Sequence, residues 1–215
     1  MTFEEAQNNV KIGHFTRKGG EIRGVIHVGA NDGEEIEGYF GLGAEYVLAF
    51  EPLDFARESL LKRWGHDPRV LVLPFGLADR NCTRVLDVTP GDGKGSSFLK
   101  ELQTHYGSGY EIVDRQWGQL RRFDSLPFDG RLFNTLVVDV QGMELEVLKG
   151  FGFHIYCFAF LNIECSRVPL YEGEAPAQDI IDFLSTRRGF QQDSPIEDHN
   201  DIMFVNRRLN WPILF

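Results

Sequence analysis

Five apolar runs in this chain each end on residues suited to holding a nucleoside or moving a proton. The first run ends at His27 and passes into the turn Gly29, Ala30, Asn31, Asp32 and Gly33. The second ends at Glu51 and Pro52, the third leads to Gly76, Leu77, Ala78 and Asp79, the fourth carries Asp139 and Gln141, and the fifth stops at Glu164. A glycine-bounded turn between a strand and a helix lets backbone amides approach a ligand with no side chain intervening. The spacing here is G-x-x-x-G, not the G-x-G-x-x-G of pyrophosphate-binding turns, which favours a nucleoside ligand without a pyrophosphate over NAD. Glu51 follows the second run, where an acid commonly accepts hydrogen bonds from ribose hydroxyls. Turn and acid together suit an adenosine carrying an amino-acid tail, S-adenosylmethionine. The competing reading is a plain tight turn beside a solvent-facing glutamate.

These positions need an α/β framework. Strands are expected over residues 22–28, 46–50, 70–73, 136–140 and 156–163, alternating with helices. A helix of two or three turns should follow the glycine turn and end at Gly41-Leu42-Gly43; Asp54 can cap the next, with Phe55, Leu60, Leu61 and Trp64 near helical spacing. Further helices begin near Met143 and at Pro176, and Phe190 with residues 202–205 reads as an antiparallel closing pair. Strand and helix in alternation imply a mainly parallel sheet with helices on both faces and right-handed crossovers. Ligands bind such sheets at the carboxyl ends of the strands, near the point where strand order reverses. All five polar endings fall there.

Residues 80–130 break the alternation. They read as an insertion with a small β element: a strand over 83–89, a glycine-rich stretch over 91–97, a short helix over 98–105 and extended chain over 110–123. Lys94 within it lacks the G-x-x-x-x-G-K-[ST] order of a phosphate-binding loop. Residues 1–21 read as a helical extension ahead of a single domain, and the apolar tail 211–215 should pack on the body or on a partner.

With 215 residues, 42% hydrophobic and 25% charged, the chain suits one domain with a proper core. Its 22 Lys and Arg against 32 Asp and Glu leave a net charge of −10, which argues against binding nucleic acid or anionic membrane wholesale. Cys82, Cys157 and Cys165 are odd in number and widely spaced, as expected of reduced thiols in a cytoplasmic protein. No secretory signal is visible, and no apolar run approaches the roughly 20 residues that span a bilayer.

Three blocks resemble the signature blocks of FkbM-type methyltransferases: His27-Val28-Gly29-Ala30-Asn31-Asp32-Gly33, Ala49-Phe50-Glu51-Pro52, and the run from Val138-Asp139-Val140-Gln141-Gly142 through Met143-Glu144-Leu145-Glu146-Val147-Leu148-Lys149-Gly150. Gly76-Leu77-Ala78-Asp79, Gly95-Ser96-Ser97 and Phe123-Asp124-Ser125-Leu126 match weaker blocks in the same order. The resemblance, over residues 22–206, implies a Rossmann-like class I methyltransferase fold. It also implies S-adenosylmethionine-dependent methylation of a hydroxyl on a sugar, glycan or natural product. By position, residues 29–33 would face the methionine part and ribose, and Glu51 would bind the ribose hydroxyls. Gly76 to Asp79 would border the adenine, with Ser96 or Ser97 closing over it, and Asp139 would lie near the transferring methyl.

The chain departs from the family pattern twice, with His27 where an acid is usual and with Gln141 in place of the acid of an Asp-x-Glu-Gly block. Gln141 cannot act as a base, so His27 and Asp139 become the candidates for proton removal. Against those roles stand a histidine satisfied within the core and a helix-capping aspartate. Glu164 is open between substrate-pocket acid, supporting partner and metal ligand; no metal is expected, since these residues lie on separate strand ends without local ligand spacing. An NAD-dependent oxidoreductase or epimerase, and a non-catalytic binding module of methyltransferase-like fold, remain rivals. The acceptor is expected to be a small molecule or glycan, and the chain a monomer or homodimer.

Overall fold

Seven strands form the central sheet in a computed structural model of the chain, which describes residues 22–101, 111–128 and 132–207. The expected leading helix and apolar tail lie outside the described residues, as does the 102–105 part of the expected helix over 98–105. In chain order the main elements are β1 (Gly24–Val28), α1 (Ile36–Gly41), β2 (Tyr46–Phe50), α2 (Asp54–Trp64), β3 (Val70–Leu73), β4 (Gly76–Leu77), β5 (Cys82–Val88), β6 (Asp114–Arg121), β7 (Thr135–Val138), α3 (Glu144–Gly150), β8 (Phe160–Ser166), α4 (Ala177–Arg188), β9 (Phe190–Gln192) and β10 (His199–Asn206). The sheet order is β3-β2-β1-β7-β8-β10-β9, and strand order reverses between β1 and β7. Neighbours from β3 to β8 pair in parallel, while β10 runs antiparallel to both β8 and β9. This is a Rossmann-like α/β fold with an antiparallel C-terminal strand.

Alternation along the central strands divides the core. Ile26, Val28, Leu48, Phe50, Leu136 and Val138 point to one face, where they pack with Phe123, Phe151 and Phe158. Val25, Val47, Ala49 and Val137 point to the other, against Ile36, Tyr39 and Leu60. Side chains buried on both faces are what a parallel sheet between helices demands. Between β3 and β7 the chain builds a second sheet of three strands, ordered β4-β6-β5, beside the carboxyl ends of the first.

Four local expectations are corrected. Helix α1 has six residues, not two or three turns, because Leu42 N–H bonds back to Gly38 and Tyr39 and Gly43 turns the chain away at φ +99°. Asp54 does not cap α2: it is the first helical residue and pairs with Arg57 one turn on. Residues 98–101 form no helix. The fifth long strand begins at Phe160, since Gly152–Cys157 winds into a short 3-10 helix that seats Ile155 in the core. An apolar run of this length does not distinguish a strand from a buried helical turn.

The registers have one consequence for chemistry. Val28 pairs with Phe50 on one side and Val138 on the other, and Val138 pairs with Ile163. The next residue of each strand or its continuation therefore stands in one row, Glu51, Gly29, Asp139, Glu164, at the carboxyl edge where strand order reverses.

Candidate active site

A cleft of about 330 Å3 opens along this row. At the β2 end, Gly29, Ala30, Asn31 and Asp32 line it, with Glu51 and Pro52 beside them. Gly29 sits at φ +85°, and a Cβ there would come within 1.8 Å of the Asp139 carbonyl oxygen, so only glycine lets the turn cross β7 at this distance. Glu51 is 5% exposed. Its Oε2 accepts from Asn31 N–H at 2.7 Å and its Oε1 from Leu53 N–H at 2.8 Å, tying the turn to the start of α2. Burial pushes its carboxyl up to about 7 against the opposing pull of these two bonds. Each oxygen keeps a second lone pair for a further donor.

An apolar wall follows: Leu53, Gly76, Leu77, Leu86, Phe98 and Leu120. It draws on Leu53, just ahead of α2, and on all three strands of the small sheet, so the insertion builds one side of the cleft. Ser96 lines it too, its hydroxyl held by Thr89 N–H. The glycine-rich stretch crosses to the turn through two links, Asn31 Nδ2 to the Asp92 carbonyl at 3.1 Å and Lys94 Nζ to Glu34 at 2.8 Å.

At the β8 end stand Asp139, Gln141, Glu164 and His199. Gln141 adopts φ +55°, and its amide nitrogen donates to Asp139 Oδ1 at 2.7 Å and to Glu164 Oε2 at 2.6 Å. Its amide oxygen accepts from the Tyr171 hydroxyl at 2.8 Å. Burial, and then the neighbouring Glu164 charge, hold the Asp139 carboxyl well above the usual carboxylate range. On the far side of Glu164, His199 Nε2 lies 3.1 Å from Oε1, and its Nδ1 is 2.8 Å from the Ser166 hydroxyl. The hydrogen bond to Glu164 raises the imidazole above its ordinary value.

Several expected site residues stand elsewhere. His27 is one row below the carboxyl edge, paired with Ala49 and Val137, and its side chain points to the α1 face. It is 3% exposed, its Nδ1 is 3.1 Å from the Tyr39 hydroxyl, and burial lowers it to about 4. It does not line the cleft. Neither does Asp79, which pairs with Arg80, nor Gly33, which packs against Leu60 and Trp64 and whose carbonyl accepts from the Trp64 indole. Ser97 is buried behind the wall, donating to the Gln141 carbonyl at 2.6 Å. Asp139 caps no helix, and α3 has no side-chain cap; Glu144 Oε1 instead accepts from Val140 N–H and Gly142 N–H, fastening the loop ahead of α3. Among the described residues, no group of three or more His, Cys, Asp or Glu is placed to hold a metal ion. No described helix is long and apolar enough to cross a membrane.

Sequence reasoning missed His199 and Glu144. His199 opens an antiparallel strand whose register puts it opposite Ser166, and no local motif announces that. Glu144 stands inside a recognised block, three residues before the apolar pair Val147 and Leu148, which is the one signal that an acid here begins a helix.

Glu144 also makes stability depend on pH. Burial raises its folded value to about 8 from an ordinary 4.5, so the folded chain keeps a proton that the unfolded chain has released. That contribution is full below the ordinary value and is lost as pH rises through the folded one. His27 acts oppositely: lowered from 6.5 to about 4, its contribution is present above 6.5 and fades as pH falls toward 4. Between pH 6.5 and 8 the raised acids therefore act without it. Urea unfolding is expected to show stability falling across that window, with a Glu144 share on the order of 2 kcal/mol. Glu144→Gln, which retains an acceptor for both amides, should flatten the slope; equal slopes in the two proteins would contradict the assignment.

Comparison with known proteins bears on this site. A family model described as Methyltransferase FkbM domain matches residues 27–191. The curated 2-O-methyltransferase NoeI of Sinorhizobium fredii (strain NBRC 101917 / NGR234) is 25% identical over 203 residues, covering 86% of this chain and 80% of that protein. Among solved structures, methyltransferase FkbM from Methylobacillus flagellatus KT matches with a TM-score of 0.55 at 18% identity, over 86% of this chain and 44% of that one. The present chain thus spans less than half of that protein. The N-methyltransferase NodS from Bradyrhizobium japonicum WM9 gives 0.53 at 11% identity, over 95% and 96% of the two chains. Magnesium protoporphyrin IX methyltransferase from Synechocystis PCC 6803, solved with bound SAM, gives 0.50 at 10% identity, over 95% and 79%. At these identities the structures speak to fold alone, and the fold is that of class I methyltransferases.

Proposed function

The chain belongs to the FkbM methyltransferase family, and from that premise we propose that it transfers a methyl group from S-adenosylmethionine to a hydroxyl of a sugar, glycan or natural product. The observation that carries the reading is the row Glu51, Gly29, Asp139, Glu164 at the edge of the sheet, with nucleoside-binding chemistry at one end and proton-handling chemistry at the other.

The residues present fit the donor. A diol suits Glu51, a buried acceptor with lone pairs left over, and a flat purine suits the wall of Leu53, Leu77, Leu86, Phe98 and Leu120. The amino-acid end would lie by Gly29, Ala30 and Asp139, where glycine keeps the floor open. When bound, S-adenosylmethionine supplies an activated methyl on a sulfonium. The protein's part is then to orient an acceptor oxygen and exclude competing water, which accounts for much of such catalysis. Asp139, Gln141, Glu164 and His199 give the acceptor end both hydrogen-bond donors and acceptors, as a polyhydroxyl compound requires. Likeness to a protein named a 2-O-methyltransferase supports oxygen as the atom methylated.

An amide cannot act as a base, so Gln141 is the residue that most favours the rival reading of a non-catalytic module. Its amide has a use that an acid lacks, donating to two carboxyls at once. Isothermal titration with S-adenosylhomocysteine and with NAD tests the reading. Saturable binding of the first and none of the second is expected; tight NAD binding with no response to S-adenosylhomocysteine would sink it.

A further inference from the structure

Resting on the methyl-transfer reading above, we propose that His199 receives the proton of the acceptor hydroxyl, with Glu164 and Ser166 as its positioning residues. Three observations lead there. His199 lines the cleft and its side chain is 34% exposed, so a substrate oxygen can reach it. Its ring is held at both nitrogens, by Ser166 Oγ at 2.8 Å and Glu164 Oε1 at 3.1 Å. Two rival bases are placed less well: Asp139 is half-buried with its Oδ1 already bonded to Gln141, and His27 stands outside the cleft.

The geometry defines the step. With Nδ1–H donating to Ser166 Oγ, the Nε2 lone pair points toward Glu164 Oε1, and the acceptor hydroxyl enters between the two from the cleft to donate to Nε2. As the hydroxyl oxygen forms its bond to the methyl carbon, the methyl–sulfur bond breaks with its electron pair left on sulfur, and the hydroxyl proton passes to Nε2. The imidazolium so formed lies beside the Glu164 carboxylate, and its exposed edge returns the proton to water. Gln141 holds Glu164 in place through Oε2, leaving Oε1 for the imidazole. The groups acting on His199 are mostly acids: Glu164 on β8, Glu174 in the turn after it and Glu144 on α3. Beyond the strand ends, Arg167 and Asp198 pair with each other. The surroundings thus favour a protonated imidazole during turnover.

The test combines two readouts. The first is the NMR titration of the His199 ring in protein saturated with S-adenosylhomocysteine. The second is the pH dependence of methyl transfer to a panel of methyl glycosides of hexoses and deoxyhexoses. The rate should rise with pH through the same midpoint as the ring titration, and Glu164→Gln should move both midpoints down together. His199→Asn should lose about 10²–10⁴-fold in transfer, the usual contribution of a general base, with unchanged affinity for S-adenosylhomocysteine. If His199→Asn does not fold, the paired shift in Glu164→Gln decides alone. A ring titration indifferent to Glu164→Gln, a rate midpoint apart from it, or full activity in His199→Asn would overturn the role of His199 and leave methyl transfer standing. Failure to bind S-adenosylhomocysteine, or binding without transfer to any glycoside, would overturn the O-methyl transfer reading and this role with it.

Discussion

Glu51→Ala is expected to weaken S-adenosylhomocysteine binding by about 10–100-fold. Charge-assisted hydrogen bonds contribute roughly 1.5–3 kcal/mol, and each 1.4 kcal/mol is tenfold in affinity. The variant has a second effect, because the Glu51 carboxylate already accepts from Asn31 N–H and Leu53 N–H. Removing it strips both amides of their acceptor and loosens the glycine turn from α2, at a cost of roughly 1–3 kcal/mol for each amide left buried and unpaired. Glu51→Gln separates the two effects only in part: its single carbonyl oxygen serves one amide, while its NH2 is set against the other. Calorimetry on both variants, with thermal unfolding as the control for folding, gives the answer. Unchanged affinity in a folded alanine variant would show that the ribose is held elsewhere.

Gln141→Glu is expected to damage the site more than its near-identical shape suggests. The amide nitrogen of Gln141 sits 2.7 Å from Asp139 Oδ1 and 2.6 Å from Glu164 Oε2 and donates to both. A carboxylate there would place a third acid between two, in a region where burial already drives Asp139 upward. Losing two hydrogen bonds to carboxyls and gaining like-charge repulsion should cost roughly 3 kcal/mol or more at neutral pH. Relief is expected at acid pH, where the added carboxyl protonates and regains one donor. Methyl transfer should fall with stability, because the same side chain accepts from Tyr171 and holds Glu164 toward His199. Urea unfolding at neutral and acid pH checks the sign. Equal stability at neutral pH would mean that Gln141 is no bridge.

The edge of the sheet was legible in the chain because the apolar runs of β1, β2 and β7 stop where the pairing stops, and a glycine, a glutamate and an aspartate come next. Glu164 was found for a partly wrong reason: the run before it opens on the last two residues of a 3-10 helix, and β8 continues to Ser166 beyond it. It reaches the cleft because β7 ends one residue earlier in register. His27 was misplaced by a single step of alternation. One residue nearer the amino end than Val28, it points to the opposite face and meets Tyr39 instead of a ligand. His199 could not be read at all, since its place depends on how the closing strand pairs with β8, a long-range choice made by burial of Ile202 and Phe204. Ser97 and Asp79 show the limit of positional transfer: both follow the pattern, yet one supports the Gln141 loop from behind and the other faces Arg80.

The central claim is that this cleft moves a methyl group from S-adenosylmethionine to a sugar-like hydroxyl. Mass spectrometry of the protein incubated with S-adenosylmethionine and the methyl glycoside panel tests it most directly. The predicted result is a glycoside heavier by one methyl-for-hydrogen exchange, its new group on oxygen, formed in equal amount with S-adenosylhomocysteine. Saturating S-adenosylhomocysteine binding with no methylated glycoside across the panel would contradict it.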